Sequence, residues 1–159
     1  MNKAVFLDRD GVINRENGEY VSRPENFVVL PHAPKYIARL NKKGYLVIVI
    51  TNQGGIAKGL YTHATLDEMH QHMLREVKAT GGHIDAIYYC PHHPDFSKCI
   101  CRKPESQMIE KALAKFQIDP QQSLFIGDKQ RDIDAADGAG VRGIIIEENE
   151  DWGFVLEDL

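Results

Sequence analysis

Three features of the sequence predict an α/β fold, a doubly wound parallel sheet with helices on both faces. Apolar runs rich in Val and Ile alternate with segments of helical periodicity along all 159 residues. The runs are unbroken and do not alternate with polar residues, which is the pattern of strands buried on both faces. Several of them end in or just before polar residues, at Asp8, Thr51 and Asp128, and in open parallel sheets ligands bind outside the carboxyl ends of the strands. The length suits one well-buried domain better than two, so residues 1–159 are expected to form a single domain.

The first run, Ala4–Leu7, leads into Asp8-Arg9-Asp10-Gly11. Residues two apart in an extended chain face the same way, so Asp8 and Asp10 are expected to converge on one ligand while Arg9 points elsewhere, and Gly11 lets the backbone turn. Residues 15–32, with Gly18, Pro24 and Pro31, read as a polar loop. From Ala33 to Lys43 the positions of Tyr36, Ile37 and Leu40 have helical spacing, Pro34 suits a first turn and Gly44 a stop. Tyr45–Ile50 is a β-branched, doubly buried strand that runs into Thr51-Asn52-Gln53-Gly54-Gly55. Thr65 and Glu68 have capping-box spacing, and Leu66, Met69, Met73, Leu74 and Val77 behind them predict an amphipathic helix ending near Gly81-Gly82. The methionines read as core packing. His70 and His72, two apart on that helix, do not share a face and read as surface residues. Ile84–Tyr89 is a third strand. Met108, Ile109, Ala112, Leu113 and Phe116 mark a helix, Ser123–Ile126 a short strand stopping at Gly127-Asp128, residues 131–139 a small-residue helix, and Gly143–Ile146 a last buried strand.

Composition excludes several classes. With 43% hydrophobic and 26% charged residues and no apolar run of membrane-spanning length, the chain reads as a soluble protein without a membrane partner, and a monomer is expected. Its N-terminus lacks the layout of a signal peptide, so a cytoplasmic location is expected. The net charge is −4, and residues 147–159 carry six acids and no Lys or Arg, so −4 less −6 leaves +2 for residues 1–146. A nearly balanced body without a dense basic block argues against nucleic acid and for a small-molecule partner. The acidic tail reads as a solvated terminus.

Two constellations carry chemistry. Close carboxylates such as Asp8 and Asp10 repel unless one is protonated or a cation sits between them, which suggests split pKa values or a hard metal such as Mg2+, with Asp128 as a further oxygen ligand. Thr51, Asn52, Gln53 and Gly54 lie where they can meet phosphate or the rest of a substrate, and Arg102, Lys103 and Lys129 supply cations. Metal, nucleophile and charge clamp are the parts needed to transfer a phosphoryl group to a carboxylate. The second constellation is Cys90-Pro91-His92-His93 with Cys99-Ile100-Cys101. Three thiols and an imidazole in two tight pairs suit tetrahedral, structural Zn2+, and three cysteines make a disulfide framework unsuitable.

These residues resemble the haloacid dehalogenase superfamily of aspartate-nucleophile phosphatases. Its four motifs stand in order as Asp8-Arg9-Asp10-Gly11, Thr51, Lys103, and Gly127-Asp128 through Asp132. The resemblance implies that Asp8 attacks phosphorus, that Asp10 protonates the leaving oxygen and then activates water, and that Lys103 steadies the phosphoryl charge. It also implies Mg2+ on Asp8, Asp128 and the Asp10 carbonyl, with Asp132 behind them. Val12 stands where the familiar first motif has Thr. The family's zinc loop runs Cys-x-His then Cys-x-Cys, which selects Cys90, His92, Cys99 and Cys101. The subgroup with this loop has little or no cap domain and contains D-glycero-D-manno-heptose-1,7-bisphosphate 7-phosphatases and histidinol-phosphate phosphatases. Residues 51–59, 88–94 and 127–129 are more similar to the heptose branch, whose reaction serves lipopolysaccharide core synthesis. A capless enzyme selects substrate with its rim, so Arg102 is expected at a second phosphate and Glu16, Asn17 and Tyr20 at sugar hydroxyls. A receiver-type signalling switch shares acids, Thr and Lys at strand ends, but accepts phosphate on a strand in mid-sequence and has no zinc loop.

Overall fold

The computed structural model describes residues 1–159. Five strands, β1 Ala4–Leu7, β2 Leu46–Asn52, β3 Ala86–Cys90, β4 Leu124–Gly127 and β5 Arg142–Ile145, form one sheet in the order β3-β2-β1-β4-β5. Every pairing is parallel, with Phe6 opposite Ile48 on one side and Phe125 on the other. Four helices, α1 Ala33–Lys42, α2 His63–Ala79, α3 Gln107–Phe116 and α4 Gln130–Gly138, make the crossovers. The winding reverses at β1, so the residues just beyond Leu7 lie at the topological switch point where such sheets open a crevice.

Strand periodicity divides the core in two. Val5, Leu7, Val47, Val49, Leu124 and Ile126 face α1 and α2, where they pack with Ile37, Leu40, Leu66, Met69 and Met73. Ala4, Phe6, Ile48, Ile50 and Phe125 face α3 and α4 with Met108, Ile109, Ala112 and Ala135. Both sets are apolar, which is why the sequence runs are continuous. No helix is long and apolar enough to cross a membrane.

Four expectations are corrected. Thr62, not Thr65, caps α2: its hydroxyl accepts from the Thr65 backbone N–H, because the helix starts one turn earlier than the Thr65/Glu68 spacing suggests. His70 is buried, not on the surface, because the inward face of α2 meets the loop after β1. The last strand is a sheet edge, not a buried strand: Ile145 is 55% exposed and only Ile146 beyond it is buried. Finally, the tail is not merely solvated. Its acids are mostly exposed, but Trp152, Val155 and Leu156 are buried, the last two in a 3-10 turn spanning Gly153–Asp158. The Trp152 indole N–H donates to the Val12 carbonyl at 2.9 Å. Asn149 binds the same loop: its backbone N–H donates to Gly11 O, and its side chain bridges the N–H and C=O of Glu16.

Candidate active site

Asp8, one residue past β1, forms the floor of a crevice of about 270 Å³. Its Oδ1 accepts from the Lys103 ammonium at 3.0 Å and from the Arg9 backbone N–H at 2.8 Å. Lys103 is almost fully buried and also donates to Asp132 Oδ1 at 2.6 Å and to the Ile50 carbonyl at 2.8 Å. Burial alone would discharge this lysine, but the Asp8 and Asp132 carboxylates outweigh it and raise its pKa. Asp8 is pushed well above the usual carboxylate range, first by burial and then by the charge of Asp132. Asp132 opens α4, where its Oδ2 also accepts the Lys129 backbone N–H at 3.1 Å.

Asp128, one residue past β4, completes the floor. Both its carboxylate oxygens are buried without any hydrogen-bond partner. Its pKa is raised by burial and then by Asp132. An orphaned buried carboxylate is costly unless a cation meets it. Four carboxylates here, Asp8, Asp10, Asp128 and Asp132, outnumber the two buried cations, Arg9 and Lys103, and the half-exposed Lys129 comes no nearer to Asp128 than 4.0 Å. Ligand oxygens of Asp8, Asp128 and Asp132 lie within 4.8 Å of one another. That is the fit expected of a hard dication, with Asp132 already committed to Lys103. Two glycines make the room: a Cβ on Gly127 would fall 2.4 Å from Asp132 Cβ, and one on Gly11, whose φ is +86°, would fall 2.3 Å from Asp128 Oδ2.

Asp10 shares the crevice, and Arg9, which does not line it, turns into the protein beside Asp10. The chain leaves the strand at Leu7, and the Arg9 side chain folds back so that Nη2 donates to Asp10 Oδ1 at 2.7 Å. Asn14 Nδ2 donates to the same oxygen at 2.8 Å, and Gln53 Nε2 to Oδ2 at 3.2 Å. Burial pushes the Asp10 carboxyl up, but Arg9's charge and these hydrogen bonds outweigh it and hold it below the usual range. Gln53 also donates to Thr51 Oγ1 at 2.9 Å and accepts from the Tyr61 hydroxyl, so its amide is spent inside the protein.

The rim collects Glu16, Tyr20, Asn52, Gln53, Gly54, Arg102, Lys103 and Lys129. Thr51 is fully buried and Asn17 is turned to the Glu19 backbone, so neither lines the crevice. The Asn52 side chain pairs with both the N–H and C=O of Lys103 at 3.0 and 3.1 Å, pinning that lysine. Arg102 donates to the His92 carbonyl at 3.1 Å. Lys129 lies 3.5 Å from Glu148, and Glu16 accepts from the Gly18 N–H. Sequence reasoning missed Arg9, Asn14, Tyr61 and Arg131. Arg131 lines the crevice without an ion pair, and its only signal is a place in the first turn of a helix that follows a strand-end aspartate.

At the rim's outer side Cys90, His92, Cys99 and Cys101 converge with all ligand atoms within 4.8 Å. All three cysteines are free. Zn–S bonds of about 2.3 Å place tetrahedral sulfurs roughly 3.8 Å apart. The Cys90–Cys99 pair, at 3.7 Å, matches this, while Cys90–Cys101, at 2.7 Å, would open by about an ångström around an ion. Burial raises the Cys90 thiol pKa beyond the ordinary range, a penalty that a thiolate-bound metal offsets.

Residues 100–151 match a family model described as HAD-hydrolase-like. The chain is 40% identical over 146 residues to a D-glycero-β-D-manno-heptose-1,7-bisphosphate 7-phosphatase of Haemophilus ducreyi, covering 88% of this chain and 80% of the relative. It is likewise 40% identical over 144 residues to the enzyme of the same name from Pseudomonas putida, covering 91% and 82%. The crystal structure of D,D-heptose 1,7-bisphosphate phosphatase from B. bronchiseptica, complexed with magnesium and phosphate, superposes with a TM-score of 0.88. It is 35% identical and covers 98% of this chain and 86% of that one.

Proposed function

The chain belongs to the haloacid dehalogenase superfamily of phosphatases, and from that premise we propose that it removes the 7-phosphate of D-glycero-D-manno-heptose 1,7-bisphosphate. The observation that carries the chemistry is the buried Asp8–Lys103–Asp132 array beside the carboxylate of Asp128, both oxygens of which lack a hydrogen-bond partner. The substrate rests on the relatives at 40% identity.

Asp8 is the nucleophile: its free oxygen attacks phosphorus as the sugar oxygen leaves, forming an aspartyl-phosphate that water then hydrolyses. Lys103, held charged by its two carboxylates, stabilises the phosphoryl oxygens. Asp10 gives a proton to the leaving oxygen and recovers one from the attacking water. Arg9 keeps Asp10 anionic in the free protein, and an arriving phosphate dianion raises its pKa towards the acid form. Asp8, Asp128 and the Asp10 carbonyl would hold Mg2+, which supplies charge neutralisation. Cys90, His92, Cys99 and Cys101 would hold a structural Zn2+ that positions Arg102 for the second phosphate. Arg suits that task because its planar fork donates two parallel hydrogen bonds. Glu16 and Tyr20 lie on the rim where sugar hydroxyls would be met.

The test is phosphate release with Mg2+ from heptose bisphosphate and from histidinol phosphate, measured side by side. A clear preference for the heptose is expected. Equal or faster release from histidinol phosphate would overturn the substrate, and stable phosphorylation of the protein without turnover would mark a signalling switch.

A further inference from the structure

Helix α2 delivers a buried histidine that lies outside the four motifs. His70 is 5% exposed, and its Nε2 sits 3.3 Å from Arg9 Nη1. A guanidinium has donors only, so this contact makes Nε2 the acceptor and puts the ring proton of a neutral imidazole on Nδ1. Burial first and Arg9's charge second push the His70 pKa down to about 3, in keeping with that state. The imidazole packs edge-on against Tyr89, with ring centres 6.2 Å apart. Arg9 is 1% exposed, and its guanidinium lies 5.1 Å from the centre of the Phe27 ring. His70, Phe27 and Asp10 thus fix the guanidinium from three sides.

The consequence falls on the two oxygens of Asp10. Oδ1 receives three donors: Arg9 Nη2 at 2.7 Å, Arg9 Nε at 3.3 Å and Asn14 Nδ2 at 2.8 Å. Oδ2 receives one, Gln53 Nε2 at 3.2 Å. A carboxylate oxygen offers about two lone-pair sites. Oδ1 is therefore saturated, and a proton can be carried only on Oδ2.

We propose that His70 is a positioning residue for phosphoryl transfer: by accepting from Arg9 it holds the guanidinium so that Oδ1 of Asp10 stays occupied and Oδ2 alone exchanges the proton. In the first half-reaction the O–H bond at Oδ2 breaks and its proton goes to the sugar oxygen, as the bond from that oxygen to phosphorus breaks and the Asp8–phosphorus bond forms. In the second, a water proton returns to Oδ2 as the water oxygen binds phosphorus and the Asp8–phosphorus bond breaks. The proposal rests on the reading of Asp10 as acid and base.

Two replacements of His70 separate this role from packing. His70→Leu fills the site without an acceptor, whereas His70→Gln keeps an acceptor for Arg9. Positioning predicts that His70→Leu lowers kcat about tenfold to a hundredfold, the scale of a misplacement near an ångström, with KM within about twofold of wild type. His70→Gln should recover most of the loss. A packing role predicts the reverse order, with Leu harmless and Gln costly, and that result would overturn the proposal. If His70→Leu does not fold, His70→Met provides a poor acceptor of similar volume and is read in the same way. In an Asp10→Asn background, whose own loss is expected at about 10²–10⁴-fold, His70→Leu should add nothing, and a full additional loss would also overturn the proposal. Wild-type kcat in Asp10→Asn alone would instead remove the acid–base reading beneath it, while impaired Asp10→Asn with unimpaired His70→Leu would remove only the role of His70.

Discussion

The strand-end centre and the cysteine loop lie on the same crevice but are held in place by different physics. Asp8 and Asp128 each stand one residue past a buried strand, and Lys103 is fixed by ion pairs to Asp8 and Asp132. Between Cys90 and Lys103 there is no helix or strand. Its ends meet where Cys90, His92, Cys99 and Cys101 converge, a set that could hold a metal ion. The boundary between the two regimes falls between adjacent residues. Arg102 is tied to the His92 carbonyl inside the loop, whereas Lys103 is pinned to Asn52 and to the buried carboxylates. The proposed chemistry and the proposed selectivity thus fall on parts of the molecule held in different ways.

The strongest way to break that comparison is at Asp8. Asp8→Asn should lower turnover on the order of 10⁶-fold, as when a nucleophile acting within a unit is removed, with circular dichroism and zinc content unchanged. Activity near wild type would mean that the chemistry lies elsewhere. A smaller effect is expected from the loop. Chelation of zinc, or Cys99→Ser, should loosen residues 91–102 in hydrogen exchange while Lys103 and the sheet keep their protection. Metal analysis should find one zinc per chain beforehand. Loss of Arg102's charge-assisted contacts, roughly 1.5–3 kcal/mol, corresponds to about tenfold to a hundredfold in kcat/KM for the bisphosphate, with a far smaller loss for a simple monoester. Arg102→Ala should give the same pattern, and the two treatments together should cost no more than either alone. Full additivity would show that zinc acts beyond Arg102, and equal losses on both substrates would place Arg102 at the reacting phosphate.

The smallest effect is one of acid stability, and it separates the two regions again. His70 has a folded pKa of about 3 against about 6.5 when unfolded, so below pH 6.5 the unfolded chain binds a proton that the folded chain refuses. Stability is therefore full above pH 6.5 and falls as pH drops towards 3, by about 2 kcal/mol at pH 5 from this residue. Urea midpoints measured from pH 7 to pH 5 should drop less steeply in His70→Gln, and parallel curves for the two proteins would refute a neutral, buried His70.

Much of this was legible in the sequence because it follows from local rules. Continuous β-branched runs give buried parallel strands, and polar residues at their ends give a crevice, so Asp8, Thr51, Asn52 and Asp128 could be brought together, although Thr51 proves fully buried, and Lys103 comes only with the family's motifs. The failures share one cause, which is contact between elements far apart in sequence. Spacing along α2 says that His70 and His72 point differently but not which of them meets the β1 loop. Alternation keeps Arg9 out of the crevice, but it does not show that His70, 61 residues on, meets the guanidinium. The tail's acids dominated its composition, although Trp152, Val155 and Leu156 already had the spacing of a buried face.

That tail contact also bears on the order in which the protein can be made. Trp152 and Val12 are joined across 140 residues, and Asn149 grips Gly11 and Glu16 beside them. At about 5–20 residues per second, a ribosome needs on the order of ten seconds or more to add that length. Throughout that interval the loop bearing Asp8 and Asp10 lacks its clasp, and Lys103 and Asp128 reach it only in turn. The crevice therefore closes only after residue 152 has been made, and a ribosome stalled before residue 149 would hold a nascent chain in which Asp8, the proposed nucleophile, is present but not yet framed.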